Sequence, residues 1–332
     1  SAVLVASGVV PMAIGSDTGD SVRKPASYNN IVGFKPSYGR ISRYGVIPYA
    51  SSLDHVGFFT QNVEDAASTL EVLAGRDDKD MTSSQKAVEK YSELLKGDLK
   101  GKKIGILKNV IDAINVEETK TLFNDLCEKL KAQGALLVQI HLKDELMHAF
   151  LPTYYIIANA EATANHSNLD GLRFGVAKEG NNIEEVMTSS RTSGFGPLLR
   201  KRFVIGSYAL FIENQEKIFR KAQKVRRLIV EDLNHAFTQC DVLIAPASAQ
   251  GAPIIGDASA DQLSSEYLIA ENYMALANFA GTPSITIPMG FVKGLPIGVN
   301  INAKAFEEVK LLDIAFGLEK VTGLKDQVKE PQ

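Results

Sequence analysis

One stretch in the middle of the chain limits the possible folds more than any other. GKKIGIL (101–107) and LLVQI (136–140) have the apolar, β-branched character of buried strands. Between them, residues 116–135 repeat apolar side chains at helical spacing. A strand, a helix and a second strand with short links form a βαβ unit, which places two parallel strands in one sheet. The sequence therefore predicts an α/β fold.

Patterns elsewhere in the chain extend this prediction. We expect a short buried strand at 10–15, a helix at 60–75 that Asn62 caps and Gly75 ends, and a strand at 240–246. A helix from Ser264 should end at Gly281, two strands should flank the turn VKGLP, and a last helix should cover 306–322. Together these elements predict a mixed, mostly parallel β-sheet covered by helices on both faces.

Composition excludes some classes of protein. The chain has 332 residues and a net charge of −3, which disfavours a nucleic-acid footprint over the whole surface. Cys127 and Cys240 lie far apart outside any metal-binding spacing, so we expect two buried thiols in a reducing compartment. No apolar run is long enough to predict a membrane span. The opening residues SAVLVASG lack the charged start of a signal peptide and look like the tail of a buried helix that began earlier.

Common catalytic motifs are missing from the sequence. It contains no G-x-S-x-G elbow, no G-x-x-x-x-G-K-[ST] phosphate loop and no H-E-x-x-H zinc motif. No two histidines lie at metal-ligand spacing, so no metal site is predicted and structural roles are expected for all of them. They are His55, His141, His148, His166 and His235.

The stretch GSDTGDSVRKPA (15–26) concentrates turn residues directly after the first predicted strand. Such a loop can direct a serine hydroxyl and several backbone N–H groups toward one point, as serine acyl transfer requires. It can equally be a polar turn in which Asp17 caps backbone amides and Arg23 pairs with a carboxylate. Residue spacing alone leaves both interpretations open.

Longer segments show a family resemblance. Residues 1–57, which include GSDTGDSVRKPA and VGFKPSYG, resemble the second half of the amidase signature, G-[ST]-D-x-G-G-S-[IV]-R-x-P-A followed by V-G-x-K-P-[ST]-x-G. The chain is also similar to glutaminase subunits of the glutamyl-tRNA(Gln) amidotransferases within that family. That similarity lies in LPTYYIIANAEA, SNLDGLRFG, SGFGPLLRKRFVIGSYAL and KAQKVR. The resemblance implies one amidase-signature domain over 1–332, truncated at its N-terminus, with core segments at about 1–80 and 235–325 and a more helical substrate-side region at about 100–234.

The resemblance also implies a Ser–Ser–Lys hydrolase. In this family a buried neutral lysine is the base, a serine on a cis peptide relays the proton, and a second serine attacks the amide carbonyl. The attacking serine corresponds to Ser21. The oxyanion-hole loop corresponds to Thr18, Gly19, Asp20 and Ser21, and the residues that brace this loop correspond to Asp17 and Arg23.

In the amidotransferase branch, an arginine and an acidic residue hold the two charges of glutamine. These correspond to Arg202 and Glu271, and Tyr154 or Tyr155 would line the same pocket. The implied partners are the B and C subunits of the amidotransferase, with tRNA bound mainly by the partner and no membrane involved. The resemblance implies no cofactor in this chain and ATP with Mg²⁺ in the partner. It implies a cytoplasmic location, bacterial or organellar. A different amidase acting on a small amide, or a catalytically silent scaffold subunit, is the alternative.

The chain departs from the family pattern in three ways. The relay serine and the lysine correspond to positions before Ser1, so we expect this chain alone to be nearly inert, with Lys24 facing away from the loop and Lys35 no substitute. Asp20 replaces the second glycine of the motif, where a carboxylate would oppose the developing oxyanion and would resist a positive φ. Glu271 stands where the family's glutaminase subunit usually has aspartate, which changes the reach of the acid.

Overall fold

One mixed β-sheet runs through the molecule. The computed structural model describes residues 1–255 and 265–328, and this part contains eight strands. They are β1 (Met12–Asp17), β2 (Val32–Lys35), β3 (His55–Thr60), β4 (Lys103–Leu107), β5 (Leu136–Ile140), β6 (Val242–Pro246), β7 (Ser284–Val292) and β8 (Leu295–Ala303). Their order across the sheet is β1-β3-β2-β7-β8-β6-β4-β5.

The direction of the strands agrees only partly with the prediction. The sheet is mixed, and the predicted βαβ unit is confirmed because β4 pairs in parallel with β5 and also with β6. However, the five other pairings, β1–β3, β2–β3, β2–β7, β6–β8 and β7–β8, are antiparallel, so "mostly parallel" is wrong. The tight turn at Lys293 and Gly294, both with positive φ, makes β7 and β8 a hairpin, and a hairpin is necessarily antiparallel.

Helices cover both faces of the sheet, as predicted. In the described part they are α1 (Ala2–Ala6), α2 (Arg23–Tyr28), α3 (Val63–Leu73), α4 (Lys108–Ala113), α5 (Glu117–Ala132), α6 (Asp144–Asn165), α7 (Ile183–Gly194), α8 (Pro197–Leu210), α9 (Ile212–Gln215), α10 (Lys221–Ala236), α11 (Ser265–Asn272), α12 (Leu276–Ala280) and α13 (Glu308–Thr322). Helices α3, α5 and α13 share one core, and α4, α6, α10 and α12 share the other. Ile104 and Ile106 of β4 face the first core and Leu107 faces the second, which is the alternation of a strand buried on both sides.

Several boundaries follow the predicted signals. The Asn62 side chain accepts a hydrogen bond from the Asp65 N–H and caps α3, and Gly281 ends α12 in the left-handed conformation. The single helix predicted from Ser264 to Gly281 is divided into α11, a 3-10 turn at Tyr273–Ala275 and α12, and its predicted first residue lies outside the described residues. The first strand is not buried as expected. Strand β1 lies at one end of the strand order and, among the described residues, pairs only with β3, which leaves Ile14 46% exposed.

Cys127 and Cys240 are both buried and unpaired, as predicted, and burial raises the pKa of the Cys127 thiol to about 12. In residues 1–255 and 265–328, every helix is too short or too polar to cross a membrane.

A buried acid links the ends of α3 and α13. Glu319 is 2% exposed, its Oε1 accepts the Val63 N–H at 2.9 Å, and its Oε2 has no hydrogen-bond partner in the described part of the chain. The pKa of Glu319 is raised to about 7, mainly by burial and also by the nearby carboxylates of Asp326 and Asp65. The hydrogen bond from the Val63 N–H and the charge of Lys325 oppose this rise.

The charge of Glu319 should make stability depend on pH. Because its folded pKa lies above its unfolded value, the native state binds more protons between about pH 4.5 and 7, so stability falls as pH rises through this window. Glu319→Gln should remove this decline and raise the free energy of unfolding by up to about 3 kcal/mol at pH 8. Urea unfolding at pH 5 and pH 8 measures it. The exposed Glu128→Gln is the control, and equal pH dependence in wild type and Glu319→Gln would contradict the prediction.

Candidate functional site

The stretch that links β1 to α2 presents the predicted nucleophile. Residues 18–20 form a bend and residues 21–22 a turn, and Ser21 is exposed there. Within residues 1–255 and 265–328, the Ser21 hydroxyl makes no hydrogen bond. A ligand can therefore reach this oxygen, and the described part of the chain supplies no base in contact with it.

A buried ion pair holds the loop from below. The Arg23 Nε and Nη2 donate to the two carboxylate oxygens of Asp17 at 3.0 and 2.9 Å, and both side chains are fully buried. Asn278 accepts from Arg23 Nη2 at 2.7 Å and donates to the Asp17 backbone and side chain at 3.0 Å. Burial alone would raise the pKa of Asp17, but the Arg23 guanidinium outweighs burial and holds that pKa well below its usual range.

The same arginine sets the direction of the loop peptides. Arg23 Nη2 donates to the Gly19 carbonyl at 2.6 Å, and every peptide bond of the described chain is trans, so the Asp20 N–H points away from Arg23. The Asp20 carbonyl accepts the Lys24 N–H at 2.9 Å, so the Ser21 N–H points away from α2. Neither N–H donates to another described group. Two free donors beside a serine hydroxyl can bind an oxyanion.

Sequence reasoning missed two residues that complete this region. Thr18 donates its hydroxyl to Asp54 Oδ1 at 2.7 Å, and the other oxygen of Asp54 accepts the N–H groups of Tyr49 and Ala50 at 2.8 and 2.9 Å. Burial raises the pKa of Asp54, although these hydrogen bonds oppose the rise. Asp54 therefore joins the Thr18 loop to the segment that carries Tyr49. Both residues lie in the stretch FKPSYGRISRYGVIPYASSLD that resembles the family, but no spacing marked them as polar partners.

Tyr154 contacts the loop, and Arg202 contacts Tyr49, whose backbone Asp54 joins to the loop. A Cβ atom added to Gly19 would be 2.8 Å from the Tyr154 hydroxyl, so only glycine allows this close contact. Burial raises the pKa of Tyr154, and the charge of Asp20 adds to the rise while Arg202 opposes it. Arg202 Nη1 donates to the Tyr49 hydroxyl at 3.3 Å. Tyr155 is 39% exposed and contacts the Tyr154 ring, so Tyr154 is the tyrosine at the loop.

Glu271 lies at the loop as well, but it is already paired. Its Oε1 accepts the Ala249 N–H at 2.9 Å, and its Oε2 is 3.1 Å from Lys24 Nζ. Lys24 Nζ also donates to the Glu271 carbonyl and lies 3.2 Å from Asp20 Oδ2. The expectation that Lys24 faces away from the loop is therefore wrong, because the two carboxylates draw its ammonium inward.

Lys35 is the other lysine close in sequence. It is fully buried and donates to the carbonyls of Thr282 and Pro36 at 2.5 and 3.1 Å. Burial and the nearby Arg23 charge lower its pKa well below the usual lysine range. Among the described residues, Lys35 makes no hydrogen bond to Ser21, and its amine donates only to backbone carbonyls.

Comparison with known proteins identifies the family. The Amidase family profile matches residues 1–312. The chain belongs to the amidase family. It is 40% identical over 321 residues to the A subunit of the glutamyl-tRNA(Gln) amidotransferase of Neisseria meningitidis, covering 96% of this chain and 66% of that protein. It is 42% identical to the A subunit of the same enzyme from Fusobacterium nucleatum, covering 97% and 65%. The chain thus spans just under two thirds of the length of these relatives.

Solved structures agree with the family assignment. The chain is similar to the crystal structure of the glutamyl-tRNA(Gln) amidotransferase A subunit from Thermotoga maritima, with a TM-score of 0.78 and 33% identity over all of this chain and 67% of that one. It is also similar to the peptide amidase of Stenotrophomonas maltophilia, with a TM-score of 0.77 and 26% identity over all of this chain and 66% of that one. The mixed sheet with helices on both faces is therefore the amidase-signature fold.

The buried ion pair gives the first prediction for the site. Arg23→Lys keeps the charge but cannot donate at once to Asp17, Gly19 and Asn278, which leaves buried acceptors unpaired. We expect a loss of about 3–5 kcal/mol in the free energy of unfolding, measured by urea denaturation. The exposed Arg227→Lys, which affects one surface pair with Glu231, should change stability by less than about 1 kcal/mol. Equal stabilities of the two variants would contradict the structural role of the Arg23 fork.

Proposed function

We propose that this chain carries the acyl-transfer loop and the amino-acid pocket of a glutaminase subunit in a glutamyl-tRNA(Gln) amidotransferase. The observation that carries the proposal is that the Tyr154 hydroxyl lies at Gly19 of the Ser21 loop and that the charge of Arg202, which donates to Tyr49, acts on Tyr154. The relatives named above, glutamyl-tRNA(Gln) amidotransferase A subunits at 40–42% identity, support the same assignment.

The loop geometry suits attack on a carboxamide. Ser21 Oγ would add to the amide carbon of glutamine, and the resulting oxyanion would accept hydrogen bonds from the Asp20 and Ser21 N–H groups. Ammonia would leave with a proton, and water would then cleave the acyl-serine to release glutamate. The serine proton needs an acceptor, and no described group contacts the hydroxyl. We therefore propose that the lysine and the relay serine of the family act from outside these residues, and that this chain alone is inactive.

Recognition of the substrate would depend on opposite charges. A guanidinium binds a carboxylate through two parallel hydrogen bonds, so Arg202 would hold the α-carboxylate while Tyr154 and Tyr49 line the pocket. Glu271 would attract the α-ammonium with the same carboxylate that pairs with Lys24, so that the two cations would share it.

The remaining reaction belongs to partners in this proposal. Ammonia would pass to the B subunit, where ATP and Mg²⁺ activate Glu-tRNA(Gln), and the C subunit would complete the assembly in the cytoplasm. The net charge of −3 favours tRNA contact mainly through the partner.

A silent scaffold subunit is the second candidate. It is favoured by Asp20, whose charge lies beside the two free N–H groups, and by the lack of a described base at Ser21. A small-amide hydrolase would need no arginine to bind a substrate carboxylate, so the contact of Arg202 with Tyr49 favours a glutaminase over that alternative.

Ammonia release separates an active chain from an inactive one. We expect no release from glutamine above background by the 332-residue chain, and none by Ser21→Ala, because no described base contacts the serine. A coupled glutamate dehydrogenase assay measures the ammonia. Release that depends on Ser21 would show that a base lies within this chain and would overturn both the inactivity and the scaffold alternative.

Glutamine binding tests the proposed pocket without requiring turnover. Isothermal titration calorimetry should show that the chain binds glutamine and that Arg202→Ala weakens the binding about 10- to 100-fold, since a charged bidentate contact is lost. The exposed Arg200→Ala on the same helix should bind like wild type. 4-Aminobutanamide, which lacks the carboxylate, should be insensitive to Arg202→Ala. If Arg202→Ala retained full affinity for glutamine, the pocket assignment would be wrong.

A further inference from the structure

Asp20 occupies a critical position in the loop. Its Cα lies between the two N–H groups that are free to bind an oxyanion, those of Asp20 and Ser21. Asp20 has no positive φ, so the loop does not need glycine here and the aspartate fits without backbone strain. What the substitution changes is therefore charge, because the amidase motif has an uncharged glycine at this position.

An uncompensated carboxylate here would impair the loop. Two unit negative charges about 5 Å apart repel strongly enough, at an effective dielectric constant of about 20, to weaken anion binding roughly 300-fold. A loop that stabilises an oxyanion needs this charge neutralised or turned away.

Lys24 meets both requirements. Its ammonium, at the start of α2 and four residues after Asp20, lies 3.2 Å from Asp20 Oδ2, and it is the only cation that contacts Asp20 among the described residues. The same ammonium binds the carbonyl and carboxylate of Glu271, and Glu271 is itself fixed by the Ala249 N–H. The Lys24 side chain is only 16% exposed, which limits its freedom to swing into solvent. Lys24 is thus held in place from α11 and pulls the Asp20 carboxylate toward Glu271.

We propose that Lys24 is a positioning residue that neutralises Asp20 and draws its carboxylate away from the N–H pair, so that the loop can bind an oxyanion at Ser21. This inference rests on the part of the proposed function that assigns the loop to oxyanion binding, and it does not depend on glutamine as the substrate. Asp20 weakens anion binding and Lys24 compensates for it. Removing Lys24 alone should therefore weaken anion binding by the loop, and removing both side chains should restore it.

The affinity of the loop for an alkylboronic acid measures oxyanion binding at Ser21 without requiring catalysis. The Ser21 oxygen adds to boron of propylboronic acid, the serine proton passes to the buffer, and the tetrahedral boronate carries the negative charge that the loop would bind. Boron-11 NMR and calorimetry at pH 8.5 give the affinity. Ser21→Ala should abolish the adduct, and this loss would show that the boronate binds at the loop.

The variants separate charge compensation from a merely structural contact. Lys24→Met should weaken the boronate at least about 10-fold, and Asp20→Gly combined with Lys24→Met should return within about 3-fold of wild type. Lys108→Met, which breaks an exposed i, i+4 pair with Asp112 on α4, is the matched control and should not change the affinity. Unchanged affinity in Lys24→Met, failure of the double variant to recover, or lack of a wild-type adduct would each overturn the inference.

Two further measurements, on Asp20→Gly alone and on glutamine binding, complete the test. Should Lys24→Met fail to fold by circular dichroism, Asp20→Gly alone decides, because removing the acid beside an intact Lys24 should tighten the boronate about 3- to 10-fold, and an equal or weaker affinity would overturn the inference. Glutamine binding on the same samples separates the two proposals. A wild-type chain that follows the boronate pattern but does not bind glutamine would refute the proposed function and leave the role of Lys24 intact.

Discussion

The buried pair of Arg23 and Asp17 is the interaction on which the rest of the site depends. Its guanidinium binds the end of β1, the loop carbonyl of Gly19, the Met274 carbonyl and Asn278 of α12. Two fully buried charges are tolerated only because each is paired and hydrogen-bonded from several sides. The loop is therefore rigid because its direction is set by contacts that reach more than 250 positions along the chain.

A second set of contacts continues outward from this pair. Asn278 donates to the carbonyls of Asp17 and Leu53, and the next residue, Asp54, holds both Thr18 and the backbone of Tyr49. Tyr49 in turn accepts from Arg202 on α8. The candidate pocket is thus assembled from segments that are distant in sequence, and its polar groups orient one another. This arrangement explains why the charged end of a ligand and its reactive end would be held at a fixed separation.

Sequence patterns were sufficient for local elements but not for their assembly. The β4–α5–β5 unit, the Asn62 cap and the Gly281 helix end follow from hydrophobic spacing and from turn chemistry, which act over a few residues. The direction of most strand pairs does not, because pairing depends on contacts between remote segments. In the site, the resemblance selected Ser21 and Arg202. Asp54 and Tyr49 were not predicted as site residues, because their contacts form only when two loops come together in the fold.

The inward position of Lys24 shows how a local change can be absorbed by its surroundings. From sequence, Lys24 follows Arg23 and would be expected to face away from the loop, since neighbouring helix positions point in different directions. In the structure, two carboxylates and one ammonium meet at the loop, and burial strengthens their attraction. Burial alone would lower the pKa of Lys24, but Asp20 and Glu271 outweigh it and raise that pKa, so the lysine stays charged. The acid in the loop and the lysine one turn later therefore have to be interpreted together, because neither side chain has the same energy without the other.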